Sequence, residues 1–331
     1  MQRLTTSTVD FVSTTDPLLR DLPLTQSVVL VILGIETCFE TNSVYVRELV
    51  EETFGQWSQW AESAVDRVHV RIIVQGGTEH GDARPPVRHI STHDGRLIVQ
   101  SSGSVALVDP SRRESLAYVT TALAAERELF RTTVVEAITF ALLAPFDRHP
   151  IHAAAIASAG RALLLVGPGG MGKSTLAYLA HTAGYGVLSD DRVWVQTEPH
   201  LRIWGGPVRI RLTAAAASRF HEIRTDEITQ RAEEGGKIVV ALASTNQPSD
   251  RSAASAAACL LERGRRAALE RVSPADASAA ILSQLAPGFD RFPQRVDRVV
   301  AAVTAGGGWR LTLTENPRDA LPYLRRMLYG D

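Results

Sequence analysis

Residues 167–174 combine glycine, lysine and serine in a spacing that suits a phosphate chain; they read Gly-Pro-Gly-Gly-Met-Gly-Lys-Ser. Glycines let the backbone turn so tightly that successive N–H groups can converge on phosphate oxygens. The lysine adds a mobile positive charge, and the serine hydroxyl can reach a Mg²⁺ ion. This spacing is that of a Walker A loop, and it predicts a site for ATP, or another nucleoside triphosphate, with Mg²⁺. The predicted nucleotide contacts are Gly167, Gly169, Gly170, Met171, Gly172, Lys173, Ser174 and Thr175.

Two adjacent carboxylates, Asp190 and Asp191, follow the apolar run 185–189, seventeen residues beyond Lys173. That interval accommodates one helix and one short strand. Because the carboxyl ends of neighbouring strands face one crevice in open α/β sheets, we expect both carboxylates to lie near the loop. One of them can hold Mg²⁺, and the other can accept a proton from an attacking hydroxyl. The alternative is a solvated turn without a chemical role.

The elements around these residues are those that a phosphate-binding loop requires. The apolar runs 153–157 and 162–166 flank Ala159-Gly160 and predict a β-hairpin that leads into the loop. A helix is predicted over 173–183, ending at Gly184, and a strand over 185–189. The polar segment 246–255 is a candidate lid. Further strands are predicted at 193–195, 201–204, 208–212 and 237–242, and a helix at 317–329.

The first half of the chain has its own alternation of strands and helices. Strands are predicted at 28–34, 67–75, 87–92 and 96–108, the last with a turn at 101–104, and helices at 43–54 and 111–143. The first twenty-five residues are rich in Ser and Thr, and we expect them to be loosely ordered. The sequence thus predicts an α/β protein with a smaller α/β domain over 1–145 and the loop-bearing domain over 146–331. The first domain is a candidate for substrate recognition or oligomerisation.

Composition narrows the class of partner. The 331 residues carry a formal net charge of −1, which offers no general attraction for nucleic acid or an anionic membrane. The two cysteines, Cys38 and Cys259, are far apart, as is usual in a reducing compartment. No signal peptide is visible, and the apolar runs 28–35 and 253–261 are too short to span a bilayer. We therefore expect a cytoplasmic protein with neither a nucleic-acid nor a membrane partner.

The segment from His152 through the loop to Asp191 resembles the catalytic domain of the HPr kinase/phosphorylase family, in which a histidine opens the hairpin and an Asp-Asp pair closes the next strand. The resemblance covers about residues 151–212. It implies a kinase domain that transfers phosphate from ATP to a hydroxyl, typically that of serine. It also implies that Asp190 accepts the proton, that Asp191 binds the metal or contacts one of its ligands, and that His152 lies beside the phosphate and the aspartates. With the loop residues, the predicted metal set is Ser174 and Asp191, and His152 and Lys173 complete the predicted catalytic set. A strand histidine satisfied by backbone groups is the alternative for His152.

The resemblance has a clear departure. The family has a Glu-Ile-Arg-Gly signature after the aspartate strand, whereas the corresponding region 201–212 reads Leu-Arg-Ile-Trp-Gly-Gly-Pro-Val-Arg-Ile-Arg-Leu. Neither phosphorylase activity nor HPr as the acceptor is therefore expected. The chain looks more like divergent kinases of peptide natural-product clusters, including those that phosphorylate lasso-peptide precursors. The acceptor class is thus a peptide, a protein or a small metabolite, and the protein is a possible homo-oligomer.

Arg209 and Arg211 alternate with apolar residues in the predicted strand 208–212, so they share one face, which either contacts phosphate through Arg211 or is solvated. Lys237 is a second candidate phosphate contact outside the loop. Two other functions compatible with the loop are a nucleotide-binding regulatory module without phosphoryl transfer and a plain nucleoside triphosphatase. Replacing Asp190 discriminates between the classes, because only a kinase needs a proton acceptor for the incoming hydroxyl.

Overall fold

The computed structural model describes residues 23–58, 66–76, 86–93, 95–101, 103–206, 209–220, 223, 228–231, 237–242, 251–285 and 293–329. The fold is mixed α/β, as the sequence predicts. The loosely ordered segment predicted at the start of the chain lies almost entirely outside these residues. Half of the candidate lid 246–255, residues 246–250, lies outside them too. The described half is not a lid, because Ser252–Ala253 forms a strand and another strand begins at Ser255.

The first half of the chain builds one sheet with helices packed on it. Its elements are β1 (Gln26–Ile32), β2 (Ile35–Thr41), α1 (Val44–Ser58), β3 (Arg67–Gln75), β4 (Arg88–Ser91), β5 (Leu97–Ser101), β6 (Ser104–Asp109), β7 (Glu114–Thr120), α2 (Thr121–Ala125), α3 (Arg127–Phe130) and α4 (Glu136–Leu143). The order in the sheet is β1-β2-β3-β7-β6-β5-β4. Strands β2, β3 and β7 are parallel, and the other neighbours are antiparallel. Helices α1 and α4 share one hydrophobic core with the strands.

The prediction of a helix over 111–143 is wrong at its beginning, because Glu114–Thr120 is strand β7. The apolar spacing there also fits a helix, but Ser115, Ala117 and Val119 alternate inward between β3 and β6, and this pairing decides the structure. Helix α2 starts only after Thr120, whose hydroxyl caps it by accepting from Leu123 N.

A π-helical turn, Arg131–Val135, joins α3 to α4. Together with a 3-10 turn at Ala144–Phe146 they form the helical segment Arg127–Phe146, which is long and apolar enough to cross a membrane. Half of its most apolar stretch is buried inside the protein. Phe130, Val135 and Ile138 are fully buried against the first sheet, as in the core helix of a globular domain.

The second half contains the loop. Its elements are β8 (His149–Ile151), β9 (Ala154–Ser158), β10 (Arg161–Val166), α5 (Lys173–Thr182), β11 (Gly186–Ser189), β12 (Val193–Gln196), β13 (Arg202–Trp204), β14 (Arg209–Thr213), α6 (Ala214–Ala217), β15 (Ile228–Arg231), β16 (Lys237–Ala241), β17 (Ser252–Ala253), β18 (Ser255–Arg263), β19 (Ala268–Val272), α7 (Pro274–Gln284), α8 (Pro293–Thr304), β20 (Gly308–Leu313) and α9 (Leu321–Tyr329), preceded by a 3-10 turn at Pro317–Ala320. The predicted hairpin β9–β10, helix α5 and strand β11 are confirmed.

A six-stranded sheet places the carboxyl ends of several strands at one edge. Its order is β11-β9-β10-β18-β20-β19, with β10, β18 and β20 parallel and β9 antiparallel to both neighbours. Two antiparallel steps make β11 run in the same direction as β10. The carboxyl ends of β11, β10, β18 and β20 therefore meet the amino end of β9 at this edge. Helices α5 and α9 cover one face of the sheet, and α7 and α8 cover the other.

Two smaller sheets complete the second half. The order β17-β13-β12-β8 forms one, and β14-β16-β15 forms the other. Trp194 of β12 packs in the core of the first half, and Trp57 of α1 donates its indole N–H to Gly205 O at 2.9 Å. A shared core thus crosses residue 145, and the division into domains there stays a prediction.

Candidate functional site

The glycine-rich loop 167–174 joins the carboxyl end of β10 to α5. Strand β10 is central, between β9 and β18, and its apolar residues are buried, so the start of the loop is held by the core. Gly167 is buried, and a Cβ there would lie 3.3 Å from the Met171 side chain. Gly172 has a φ of +110° and precedes α5, whose amino end has no side-chain cap. The first N–H groups of α5 are therefore available to an anion in the cleft.

Lys173 is buried at the first position of α5. Its Nζ donates to Gly167 O at 2.6 Å and to Pro168 O at 3.3 Å, so the ammonium closes the curve of the loop. Burial lowers the pKa of Lys173, and the positive charge of Lys237 acts in the same direction, while the negative charge of Asp191 opposes them. A buried cation on the concave side of a glycine-rich turn suits a polyphosphate.

Asp190 and Asp191 follow β11 on a turn that Ser189 organises. The Ser189 hydroxyl accepts from Asp191 N at 3.2 Å and from Arg192 N at 3.0 Å, which reverses the chain and turns both carboxylates toward the cleft. Asp190 Oδ2 accepts from Arg211 N at 2.8 Å. Desolvation raises the pKa of Asp190 to about 6, although this hydrogen bond and the Arg211 guanidinium oppose the shift. The carboxylate is fixed by the hydrogen bond to β14, and its proton affinity is close to the neutral range.

His152 lies just before β9, whose amino end adjoins the carboxyl ends of β10 and β11. The antiparallel direction of β9 is therefore what brings the histidine to the cleft. Its Nδ1 lies 3.4 Å from Asp191 Oδ1, and both side chains are partly exposed. This contact lets the histidine orient Asp191 within the cleft, which both residues line.

Arg211 and Lys237 come from the three-stranded sheet. Arg209 and Arg211 are exposed, whereas Ile210 and Leu212 between them are buried, so the predicted alternation of β14 is confirmed. Lys237 opens β16 opposite Thr213. Arg211 and Lys237 both line the cleft beside the glycine-rich loop.

The cleft at this edge has a volume of about 400 Å³. The predicted residues that line it are His152, Gly169, Gly170, Gly172, Lys173, Ser174, Thr175, Asp190, Asp191, Arg211 and Lys237. Gly167 and Met171 do not line it; the Met171 side chain packs on Gly167 and on the apolar core. Sequence reasoning misses the lining residues Arg219, Arg263, Leu313 and Pro317.

Comparison with known proteins adds no family name. A scan of the chain against protein-family models finds no match, and a search of curated proteins finds no significant match. The chemistry of the cleft therefore rests on its own residues.

Charge and donor chemistry define what the cleft can hold. Five Lys or Arg side chains line it against the two carboxylates of Asp190 and Asp191, which suits a polyanion. Among the residues that the structure describes, no three His, Cys, Asp or Glu side chains converge as metal ligands. Ser174 and Asp191, the predicted metal ligands, place one hydroxyl and one carboxylate in the lining of the cleft. This set fits Mg²⁺, which commonly binds to one or two protein oxygens plus substrate phosphates and waters.

Proposed function

We propose that this protein is an ATP- and Mg²⁺-dependent kinase that transfers the γ-phosphate to a hydroxyl group of a peptide, a protein or a small metabolite. The observation that carries the proposal is the meeting of two separate segments in one cleft. The carboxylates after β11 and the glycine-rich loop after β10 lie at the same sheet edge, with His152 and Arg211 beside them. A regulatory nucleotide site needs the loop and a carboxylate for the metal, but it does not need a second carboxylate, Asp190, as a proton acceptor.

Asp190 is the proton acceptor in this proposal. The acceptor hydroxyl approaches Asp190 Oδ1, because Oδ2 is already engaged by Arg211 N. As the hydroxyl oxygen bonds to the γ-phosphorus, its proton passes to the carboxylate and the bond from phosphorus to the β–γ bridging oxygen breaks. A pKa of about 6 leaves the carboxylate largely ionised at neutral pH, yet basic enough to hold the proton.

The loop and Lys173 bind the donor. The N–H groups at the amino end of α5 and the Lys173 ammonium face the negative charge that develops on the departing diphosphate. Arg211 and Lys237 approach the same region from the three-stranded sheet and balance the charge of the transferred group. Ser174 Oγ and an Asp191 oxygen would hold Mg²⁺, which when bound neutralises charge on the β- and γ-phosphate oxygens.

The proposal includes membership of the HPr kinase/phosphorylase-like family and a cytoplasmic location. The order of His152, glycine-rich loop and Asp190-Asp191 supports the family, and the departure from its signature in region 201–212 supports an acceptor other than HPr. The exposed Arg209 and Arg211 of β14 do not favour one member of the acceptor class over another, so the proposal covers a peptide, a protein and a small metabolite alike.

The test is phosphoryl transfer from labelled ATP to a panel of serine peptides and small alcohols, read by mass spectrometry. Asp190→Asn removes the proton acceptor but keeps the shape and an oxygen for Arg211 N, so transfer should fall at least a hundredfold while ATP affinity changes less than threefold. Lys173→Ala should weaken ATP binding itself.

The matched control is Asp297→Asn on the exposed face of α8, which should leave both readouts unchanged. If Asp190→Asn retains transfer while Lys173→Ala loses it, the kinase mechanism is wrong. If ATP is consumed at the same rate with and without every acceptor, the protein is a nucleoside triphosphatase instead.

A further inference from the structure

Four residues that sequence reasoning misses form the end of the cleft away from the aspartates. This distal wall consists of Arg219, Arg263, Leu313 and Pro317, all of which line the cleft. Arg263 ends β18, Leu313 ends β20, Pro317 opens the 3-10 turn before α9, and Arg219 follows α6. They come from four elements, so their proximity is a product of the fold.

Two backbone carbonyls fix the guanidinium groups of the distal wall. Arg263 Nη1 donates to Thr314 O at 3.0 Å, and Arg219 Nη1 donates to Glu315 O at 2.6 Å. The two arginines, from different elements, thus hold consecutive carbonyls of the segment that follows β20. Each head group is oriented by the protein itself before any ligand arrives, and each keeps a planar face and further N–H groups for the cleft.

The strand order places the distal wall opposite the aspartates, with the glycine-rich loop between them. Four strand spacings separate β11 from β20, which is roughly 19 Å across the sheet edge. That span exceeds the length of three linked phosphoryl groups. A phosphate chain that lies on the loop with its reacting end at Asp190 therefore directs its other end toward the distal wall.

The wall begins where the loop ends. A Cβ placed on Gly172 would lie 3.2 Å from Arg263 Nη2 and 3.4 Å from a methyl group of Leu313. The amino end of α5, which faces phosphate, thus adjoins an apolar side chain and a guanidinium plane. A phosphate chain has no use for apolar surface, whereas a ribose and a nucleobase stack on aliphatic side chains and on arginine planes.

We propose that the distal wall binds the nucleoside of the donor nucleotide, with Leu313 and Pro317 against the base and the Arg219 guanidinium stacked on it. The inference rests on the proposed function in taking loop 167–174 as the phosphate site. It goes further in naming the residues that bind the nucleoside part of the donor, and in giving Arg219 a role that the proposed function does not assign.

The test compares the binding of ADP and of inorganic pyrophosphate to the full chain by titration calorimetry in the presence of Mg²⁺. Pyrophosphate occupies the loop and lacks the group that the wall would hold. Arg219→Ala should weaken ADP binding about tenfold, the loss of one stacked cation, and change pyrophosphate binding less than twofold. Arg219→Lys keeps the charge but loses the plane, so it should weaken ADP binding nearly as much.

Arg318→Ala is the matched control. Arg318 follows Pro317 in the 3-10 turn before α9 but does not line the cleft. The substitution should leave both affinities unchanged. The inference is overturned if Arg219→Ala weakens ADP and pyrophosphate by the same factor, or if the unmodified protein binds ADP no more tightly than pyrophosphate. Lys173→Ala should weaken both ligands, and if the unmodified protein binds neither, the proposed function fails and this inference with it.

Discussion

The ionisation of Asp190 gives a quantitative expectation for the pH dependence of phosphoryl transfer. Burial raises the pKa of this carboxyl from 3.8 to about 6. Only the ionised carboxylate accepts a proton, so the rate should rise with pH through 6 and level off above it. At pH 5 about one-tenth of the molecules carry the ionised form, and kcat/KM should be about tenfold below its plateau. A carboxyl of ordinary pKa would be more than nine-tenths ionised at pH 5 and would give almost no decrease.

The assay is kcat/KM for transfer from ATP between pH 4.5 and 8, with ADP affinity measured over the same range so that effects on donor binding are separated. Arg211→Ala supplies the perturbation. The Arg211 guanidinium lowers the pKa of Asp190 through its charge, whereas the hydrogen bond comes from the backbone N–H and survives the substitution. The acidic limb should therefore move to higher pH in Arg211→Ala, whatever happens to the plateau. A rise in kcat/KM with its midpoint near pH 4, or a midpoint that is unchanged in Arg211→Ala, would refute the assignment of Asp190 as the proton acceptor.

Three further outcomes follow from the same contacts. The raised pKa of Asp190 means that its charged form disfavours the folded state above about pH 4. After allowance for solvent screening, Asp190→Asn should therefore raise the free energy of unfolding at pH 7 by about 1–2 kcal/mol, as measured by urea unfolding. Gly205→Ala would place a Cβ 2.6 Å from Leu188 O, so it should destabilise the fold by about 1–3 kcal/mol and slow transfer. Gly55→Ala, in open space on α1, should instead stabilise the fold by about 0.5–1 kcal/mol. Equal effects of the two substitutions would contradict the packing. Trp57→Phe removes the hydrogen bond to Gly205 O and should cost about 1–2 kcal/mol in thermal unfolding, and no loss would mean that the bond contributes nothing.

The parts of the site that the sequence predicts are those with short-range signals. The glycine-rich loop is contained in eight consecutive residues, and Asp190 is identified by its place after an apolar run. Their proximity depends on β9, which lies between β10 and β11 and is antiparallel to both, so that the outer two strands point the same way. The hairpin signal at Ala159-Gly160 predicts the pairing of β9 with β10, but it does not predict that β11 lies beside β9.

The distal wall is harder to predict, although one signal for it exists. Arg263 follows the apolar run of β18 just as Asp190 follows that of β11, so a charged residue at the end of a buried strand is a common sign of the functional edge. What the sequence lacks is the information that β18 pairs in parallel with β10. Arg219 carries no such signal, because its place depends on the contact between α6 and the segment after β20. The prediction of a helix where β7 lies is wrong for a related reason. Pairing with the flanking strands β3 and β6 overrides an apolar spacing that also fits a helix.

The position of Asp190 depends on both halves of the chain, whereas the glycine-rich loop depends on one. Gly206 N donates to Leu188 O at 2.9 Å, and the carbonyl of Gly205 accepts from the Trp57 indole, so a side chain of α1 anchors the segment that holds the end of β11. Leu188 in turn precedes Ser189, whose hydroxyl shapes the turn that carries Asp190. Nucleotide binding by the loop can tolerate a small movement of β11, but proton transfer cannot, because it needs the carboxylate within hydrogen-bond reach of the hydroxyl. Changes in the first-half core should therefore act on the rate of transfer and leave nucleotide affinity nearly untouched.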